Sequence, residues 1–542
     1  MPPVKPIPTL LETCLKYYGR HCVMSLRGLV SQCIDCDKDE KVSVAKRDSL
    51  LSSARAYFLE YTVVRTRKEL LKVVFDEILD LDSEKQLEIL RDCMIIHGGE
   101  WIEELDLTCD KLNSVVPIGV NHPEHILSQT VFQNYSWSKS LVSLTVTSLQ
   151  NLQIIKAVGC HCQNIQYLDI ATGFYGDPQY DSQMGEGCTS YLRYLYGAVE
   201  NVNAGCPKLK TVVFPQFKGH PEVIDNVVKM IQFMPDLHVI RNVDTRLVAI
   251  KYTNAIGKLC TLKLTEFEEW DKESCRGGEY DVVNEAIGRI FPNVKRYASL
   301  CWNHGGLPSY LDQGLTKIQA NFSCLQVIEL YKYHTDLVED LDFLDPMPSM
   351  KIFIMSESDD LVGVDKIRAL GTAFPNLEKL VLYSNCYCVE SDDVLQEDTF
   401  FPKLNTLELY RIAEIDVRFL QIMLEKCPSL RTLELFCSEE VYFYQEALPV
   451  TDEFLQNLSV SMENLEKVII ALDSESYSTS FARLSKFKLT YTSVQCILSA
   501  CPNLRCLGDL GNWSVVEEEL SVLIDSVAKN NWDLDLVYNS PC

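Results

Sequence analysis

Phe374-Pro375-Asn376-Leu377-Glu378-Lys379-Leu380-Val381-Leu382 is followed by Phe401-Pro402-Lys403-Leu404-Asn405-Thr406-Leu407-Glu408-Leu409, and that by Cys427-Pro428-Ser429-Leu430-Arg431-Thr432-Leu433-Glu434-Leu435. One phrase recurs: Phe or Cys, then Pro, a variable residue, and L-x-x-L-x-L. Looser copies begin at Cys206-Pro207, Met234-Pro235, Phe291-Pro292, Phe322-Ser323, Met347-Pro348, Met462-Glu463 and Cys501-Pro502, and earlier ones start at Leu141 and Ile165. The first apolar position steps from Leu325 to Met350, Leu377, Leu404 and Leu430, at intervals of 25, 27, 27 and 26 residues. A nearly constant period of this size marks a chain that stacks one supersecondary unit.

The last two apolar residues of the phrase lie two apart, so they share one face of a strand and point inward, while the residues between and after them point outward. One such unit cannot bury its apolar face alone, and neighbours must stack on it. Between phrases the spacing turns helical: Val417, Leu420 and Leu424 fall at i, i+3 and i+7, as do Ile224, Val227 and Ile231. A proline then stops each helix, because the residue before it is pushed toward extended geometry.

In these features the chain resembles the leucine-rich-repeat family, in its intracellular branch with repeats of about 26 residues and true convex helices. The resemblance implies an α/β fold: a leucine-rich-repeat solenoid with a curved parallel sheet and convex helices over residues 101–542, preceded by a small helical region over residues 1–100. Gly173 to Gly205 and Val243 to Gly288 stretch the period, and inserted loops are expected there.

At 542 residues the chain exceeds one compact core, which suits a solenoid that grows by stacking, and 47% hydrophobic residues are ample for it. With 50 basic against 76 acidic residues the formal charge is −26, which repels phosphate backbones and anionic membranes, so neither nucleic acid nor membrane is an expected partner. The start Met1-Pro2-Pro3-Val4-Lys5-Pro6 lacks the apolar run of a signal peptide, and no stretch reaches membrane-spanning length. The 22 cysteines therefore read as reduced residues of a cytoplasmic or nuclear chain, with Cys206, Cys427 and Cys501 in the repeat position of Phe374 and Phe401.

Catalytic signatures are missing: the sequence has no G-x-S-x-G, H-E-x-x-H, phosphate-loop or G-x-G-x-x-G pattern. Cys33-Ile34-Asp35-Cys36 is a single C-x-x-C, and Cys160-His161-Cys162 packs its groups too tightly for a structural metal. Asp35, Asp37 and Asp39 alternate like the start of a calcium loop, but Glu40 replaces the glycine and Lys46 the bidentate Glu. No enzyme activity, metal or cofactor is expected.

The first hundred residues read as helices at about 8–18, 46–61, 67–80 and 84–96. Pro8 pre-sets a first turn and Gly19 offers a C-terminal stop, bracketing Thr9 to Tyr18. Leu10, Cys14 and Tyr18 are four apart, with Leu11 and Leu15 beside them, giving a narrow apolar stripe. This segment resembles the BC box of VHL-box and SOCS-box proteins, whose helix docks on Elongin C with a cullin beside it. The resemblance implies Leu10 as anchor, Cys14 as close-packed second contact and Tyr18 as outer contact, in helix-in-groove recognition. The apolar-Pro cullin box is absent, since no proline falls between Pro8 and Pro117. Lys68 to Leu79, continuing through Leu87, Leu90 and Cys93, is similar to an F-box and implies an F-box adaptor as the alternative partner, although Arg67-Lys68 stands where Leu-Pro opens that motif.

For a protein target, the outward strand positions Glu329, Val381, Glu408 and Glu434 and the following Tyr331, Tyr383, Tyr410 and Phe436 predict an acidic column beside an aromatic one. Carboxylates there would select a basic partner and the rings would supply contact area. Two functions fit: a substrate-recognition subunit of a cullin-RING ubiquitin ligase, or a non-catalytic repeat scaffold or inhibitor whose N-terminal helices only cover the end of the core.

Overall fold

The computed structural model describes residues 14, 17–22, 24–25, 40–61, 67, 70, 73–74, 93, 103–106, 136–145, 153–170, 191–199, 205–214, 221–269, 286–300, 314–333, 341, 344–357, 361–389, 399–438, 449–458, 462–473, 487–530 and 532–537. The chain forms two compact units, Pro8–Glu268, and Glu269–Cys542 with Met1–Ile7. Both carry leucine-rich repeats.

In the first unit the strands β1 (Glu104–Asp106), β2 (Ser143–Thr145), β3 (Tyr167–Asp169), β4 (Thr211–Val213) and β5 (Val239–Arg241) form one parallel sheet in chain order. β6 (Glu266–Glu269) follows. The second unit contains β7 (Arg296–Leu300), β8 (Val327–Tyr333), β9 (Ile352–Glu357), β10 (Leu361–Gly363), β11 (Lys379–Tyr383), β12 (Cys386–Cys388), β13 (Thr406–Ile412), β14 (Glu414–Ile415), β15 (Thr432–Ser438), β16 (Lys467–Asp473), β17 (Cys506–Gly508) and β18 (Asp535–Val537). There β7-β8-β9-β11-β13-β15-β16-β17-β18 follow one another in a parallel sheet, and the short β10, β12 and β14 form a three-stranded parallel sheet of their own. Consecutive parallel neighbours, each separated by a crossover, are what a repeat solenoid requires.

The recurring phrase is a helix stop, a turn and a strand start in one. The helix Val364–Ala373 ends as the Phe374 N–H donates to the Leu370 carbonyl (2.8 Å). Leu377 N–H then donates to the Phe374 carbonyl (3.1 Å), closing a turn with Pro375 at its second position, where its fixed φ is pre-set. The same pair of bonds recurs at Cys427 (to Met423) with Leu430 (to Cys427), and at Cys501 (to Ile497) with Leu504 (to Cys501). The next two N–H groups, Glu378 and Lys379, both reach the Lys351 carbonyl of the preceding repeat (2.8 and 2.9 Å) and set the register. Phe374, Phe401, Cys206, Cys427 and Cys501 are all buried, as the repeat frame predicts.

Inward residues alternate with outward ones: Leu380, Leu382, Leu407, Leu409, Leu433 and Leu435 are buried. In the second unit the helix Val417–Lys426 buries Leu420 and Leu424, and in the first unit the helix Pro221–Phe233 buries Ile224 and Val227. At Gly371 a Cβ would stand 2.6 Å from the Phe400 carbonyl oxygen, so the helix can approach the next repeat's turn that closely only without a side chain.

Val243 to Gly288 is not a simple insertion. Asp244 caps the helix Thr245–Ile256 by accepting from Leu247 N–H, and Gly257 ends it at φ 71°. Thr265 N–H then donates to the His238 carbonyl (2.8 Å), as His238 N–H does to Lys210, so β6 lies in repeat register. Leu264 follows Leu237 by 27 residues. This repeat lacks the proline because a left-handed glycine does the stopping. Of Gly173 to Gly205, residues 191–196 are helical with Leu192 and Leu195 buried, and residues 173–190 and 200–204 lie outside the described residues.

In the N-terminal region the structure shows a helix Glu40–Tyr61, six residues longer at its start than expected, with Leu51 and Phe58 buried. The first helix does not stop at Gly19, because residues 17–22 are all helical. A Cβ on Gly19 would stand 2.6 Å from Val73 Cγ1, so this glycine permits a close approach rather than a left-handed cap. Cys33, Cys36 and the Asp35–Asp39 stretch lie outside the described residues. No helix among the described residues is long and apolar enough to cross a membrane.

Candidate functional site

Parallel pairing stacks equivalent repeat positions side by side. Val381 pairs with Glu408, Glu408 with Glu434, and Glu434 with Ile469, while Tyr383 pairs with Tyr410 and Phe436 with Ala471. The outward aromatics form a continuous ladder: Tyr383 and Tyr410 stack with centroids 4.5 Å apart at 16°, and Tyr410 and Phe436 at 4.3 Å and 7°. Tyr331 reaches Tyr383 at 6.4 Å and 55°, across β9, which offers only Ser356 at that level. Phe436 is buried in the stack, packing with Ile469 and Ala471, whereas Tyr331, Tyr383 and Tyr410 are half-buried. The aromatic column is assembled as the repeat spacing predicts.

The acidic column differs from expectation in its charge. Ile354 stands beside the expected Val381 between Glu329 and Glu408 in register, and each glutamate is neutralised by a base on an adjacent strand. Arg296 grips Glu329 with two bonds, Nε to Oε1 (2.9 Å) and Nη2 to Oε2 (2.6 Å). Lys379 pairs with Glu408 at 2.6 Å and Lys467 with Glu434 at 2.7 Å. Glu408 and Glu434 face each other directly, an arrangement that is repulsive unless compensated, and the two flanking lysines compensate it. Burial lowers the Lys467 pKa, but the hydrogen bond and charge of Glu434, with Cys506 and Glu408 behind them, outweigh it and hold the ammonium above its usual value. Sequence spacing exposed the glutamates and not their partners, because the pairs run diagonally between repeats.

Beyond the ladder lies Arg411. It is exposed, sits where the β13–β15 register shifts, and holds a left-handed backbone at φ 59°. A non-glycine residue is rare in that conformation, and bulges re-aim side chains. Here the guanidinium lies over the Tyr383 ring, 6.0 Å from its centroid. Residue-type spacing could not reveal this position, since the bulge shifts it out of the repeat frame.

At the N-terminal helix, Cys14 and Tyr18 are helical and exposed, one turn apart, with Tyr17 and Met24 more exposed still at 69% and 59%. Gly19 is buried toward Val73, and burial pushes the Cys22 thiol up to about 11. At 100° per residue, Cys14, Tyr17, Tyr18 and His21 span one sector, Gly19 lies opposite it and Cys22 falls between. Leu10, Leu11 and Leu15 lie outside the described residues. Of the F-box-like segment, Leu70, Val74 and Cys93 are helical and buried, and most of the remaining positions are outside the described residues.

Among the described residues no group of three or more His, Cys, Asp or Glu is placed to hold a metal. Cys162 and Cys206 are buried core residues: desolvation raises both thiols, that of Cys206 to about 12. Such groups stay protonated and unreactive at neutral pH.

A family model described as "FBD-associated F-box protein At5g56370, LRR repeats" matches residues 368–475, from the helix before β11 to the end of β16. No curated protein matches the chain significantly. Among solved structures, the crystal structure of the Rad7 and Elc1 complex in yeast is similar at 14% identity, over 88% of this chain and 85% of that one, with a TM-score of 0.34.

Proposed function

We propose that this chain is the substrate-recognition subunit of a cullin-RING ubiquitin ligase, holding an adaptor through its N-terminal helices and a protein target through its repeats. The observation that carries the reading is the two-sidedness of the first helix. Gly19 packs inward against Val73 while Cys14 and Tyr18, two of the BC-box-like contacts, face out. Cys14 and Tyr18 thus keep exposed surface that an adaptor can reach. The match of residues 368–475 to the repeats of an F-box-associated protein supports the same class of complex. In this reading Leu10, Leu11, Cys14, Leu15 and Tyr18 contact Elongin C, the cullin joins beside it, and the residues after about 100 form the target-holding domain.

The buried Leu70, Val74 and Cys93 support a second reading, in which the F-box-like segment forms its own small core and takes an F-box adaptor instead. Tagged full-length protein mixed with purified Elongin C or with an F-box adaptor separates the two. Retention of Elongin C, weakened about tenfold or more by Tyr18→Asp and by Leu10→Asp in folded protein, is the expected result. Retention of only the F-box adaptor selects the second reading. If neither adaptor is held and Leu10→Asp merely impairs folding, the chain is a repeat scaffold or inhibitor without a ligase connection.

A further inference from the structure

The concave face was expected from sequence to be acidic, yet the charge it offers to a partner has the opposite sign. Side chains of Glu408 and Glu434 are each 13% exposed, against 36% for Lys379 and 41% for Lys467, which cover them. Arg411 is exposed outright, and no carboxylate among the described residues pairs with it. Its left-handed backbone departs from the strand path, and its guanidinium lies over Tyr383 beside the stacked rings.

We propose that this face takes an extended acidic segment of a protein, with a carboxylate on the Arg411 guanidinium and apolar or aromatic side chains laid along Tyr383 and Tyr410. The inference rests on the reading above that the repeats hold the target, and it names that target's chemistry. Charge complementarity selects the occupant. A basic segment would have to displace Lys379 and Lys467 from their glutamates before gaining any pairing, whereas a carboxylate meets a guanidinium that already points outward. Guanidinium–carboxylate contacts are among the stronger charge-assisted bonds, and the aromatic ladder supplies rigid contact area beside them.

The whole chain carries −26 and repels polyanions at long range, so tight binding of one demands a local cationic site. The test is fluorescence anisotropy with a labelled random glutamate–tyrosine copolymer and a matched lysine–tyrosine copolymer, on full-length protein. Arg411→Asn removes the cation while tolerating the left-handed backbone, and Arg411→Glu reverses it; thermal unfolding checks that both are folded. The acidic copolymer is expected to bind wild type, about tenfold more weakly to Arg411→Asn and more weakly again to Arg411→Glu. The proposal is overturned if the acidic copolymer does not bind, or if it binds Arg411→Asn as well as wild type. It is equally overturned if only the lysine copolymer binds and Glu408→Gln with Glu434→Gln abolishes that binding. Adaptor retention is measured on the same proteins: its loss with copolymer binding intact sinks the ligase reading alone, and the converse sinks this inference alone.

Discussion

The repeats at 374–438 and the repeat at 237–268 reach one backbone path by different chemistry. In the former a proline turn stops the helix, the strand alternates buried leucine with outward Glu and Tyr, and ion pairs lie on the outer face. In the latter Gly257 stops the helix, and Glu266 and Glu268 of β6 are themselves buried. Arg241 holds Glu266 with two bonds (2.7 and 2.8 Å), and Glu268 accepts the Asn242 N–H (2.6 Å) while its own N–H donates to Thr245 Oγ1 (3.0 Å). Any residue combination that ends the helix, turns the chain and presents one buried apolar residue per strand can serve. Phe267 is that residue in β6.

The comparison can be broken most severely in the regular repeats. Leu407→Ala removes a fully buried strand residue and is expected to cost about 2–5 kcal/mol in urea unfolding. A loss below about 1 kcal/mol would mean that stacking does not rest on the inward leucines. Next is the helix stop: Gly257→Ala places a side chain in the left-handed region and should cost about 1–2 kcal/mol, although open space surrounds the position. Pro375→Ala, by contrast, only loosens the unfolded chain and should cost about 0.4–1 kcal/mol. If the two substitutions reverse in rank, the glycine is not the functional equivalent of the proline.

Lys467→Met tests the ion-pair face. It leaves Glu434 opposite Glu408 with only Lys379, on the far side of Glu408, to compensate them and should cost up to about 1 kcal/mol, which Glu434→Gln in the same chain recovers. Full additivity of the two substitutions would show that the pair does not couple.

The effects that are smallest at neutral pH emerge only toward its extremes. Burial raises the thiols of Cys427 and Cys501 to about 12, above an unfolded value of about 8.5, so their contribution is complete below that value and fades as pH rises toward the folded one. Phe at the same frame position carries no such dependence, and Cys427→Phe, if it packs, should flatten the alkaline limb of stability. At the acid end, burial pushes Asp452 up, but bonds from Ser493 Oγ and from the N–H and Oγ1 of Thr490 outweigh this and hold its carboxyl low. Its stabilising share is present above the unfolded carboxylate pKa of about 3.9 and is lost as pH falls through the lower folded value. Ser493→Ala should therefore raise the acid midpoint, read by fluorescence-monitored acid unfolding.

The solenoid was legible because its signal is periodic and local: leucine spacing fixes strand faces, and Pro375, Pro402 and Pro428 mark the stops. The repeat around Leu264 was missed for want of a proline, since a glycine stop and a Glu-Phe-Glu-Glu strand resemble a surface loop in composition. Of the concave face, the aromatic ladder of Tyr331, Tyr383, Tyr410 and Phe436 could be counted off the frame. The partners of Glu329, Glu408 and Glu434 could not, as they lie on other strands and their pairing depends on register. Arg411 was hidden by a bulge, which no repeat template contains.

Hydrogen exchange on the full-length chain, with and without purified Elongin C, tests the central claim most directly. The account predicts that adaptor slows exchange in the helix containing residues 17–22 and leaves β11, β13 and β15 unchanged, free for a target. Unaltered exchange in that helix, or protection that falls on the concave strands instead, contradicts it.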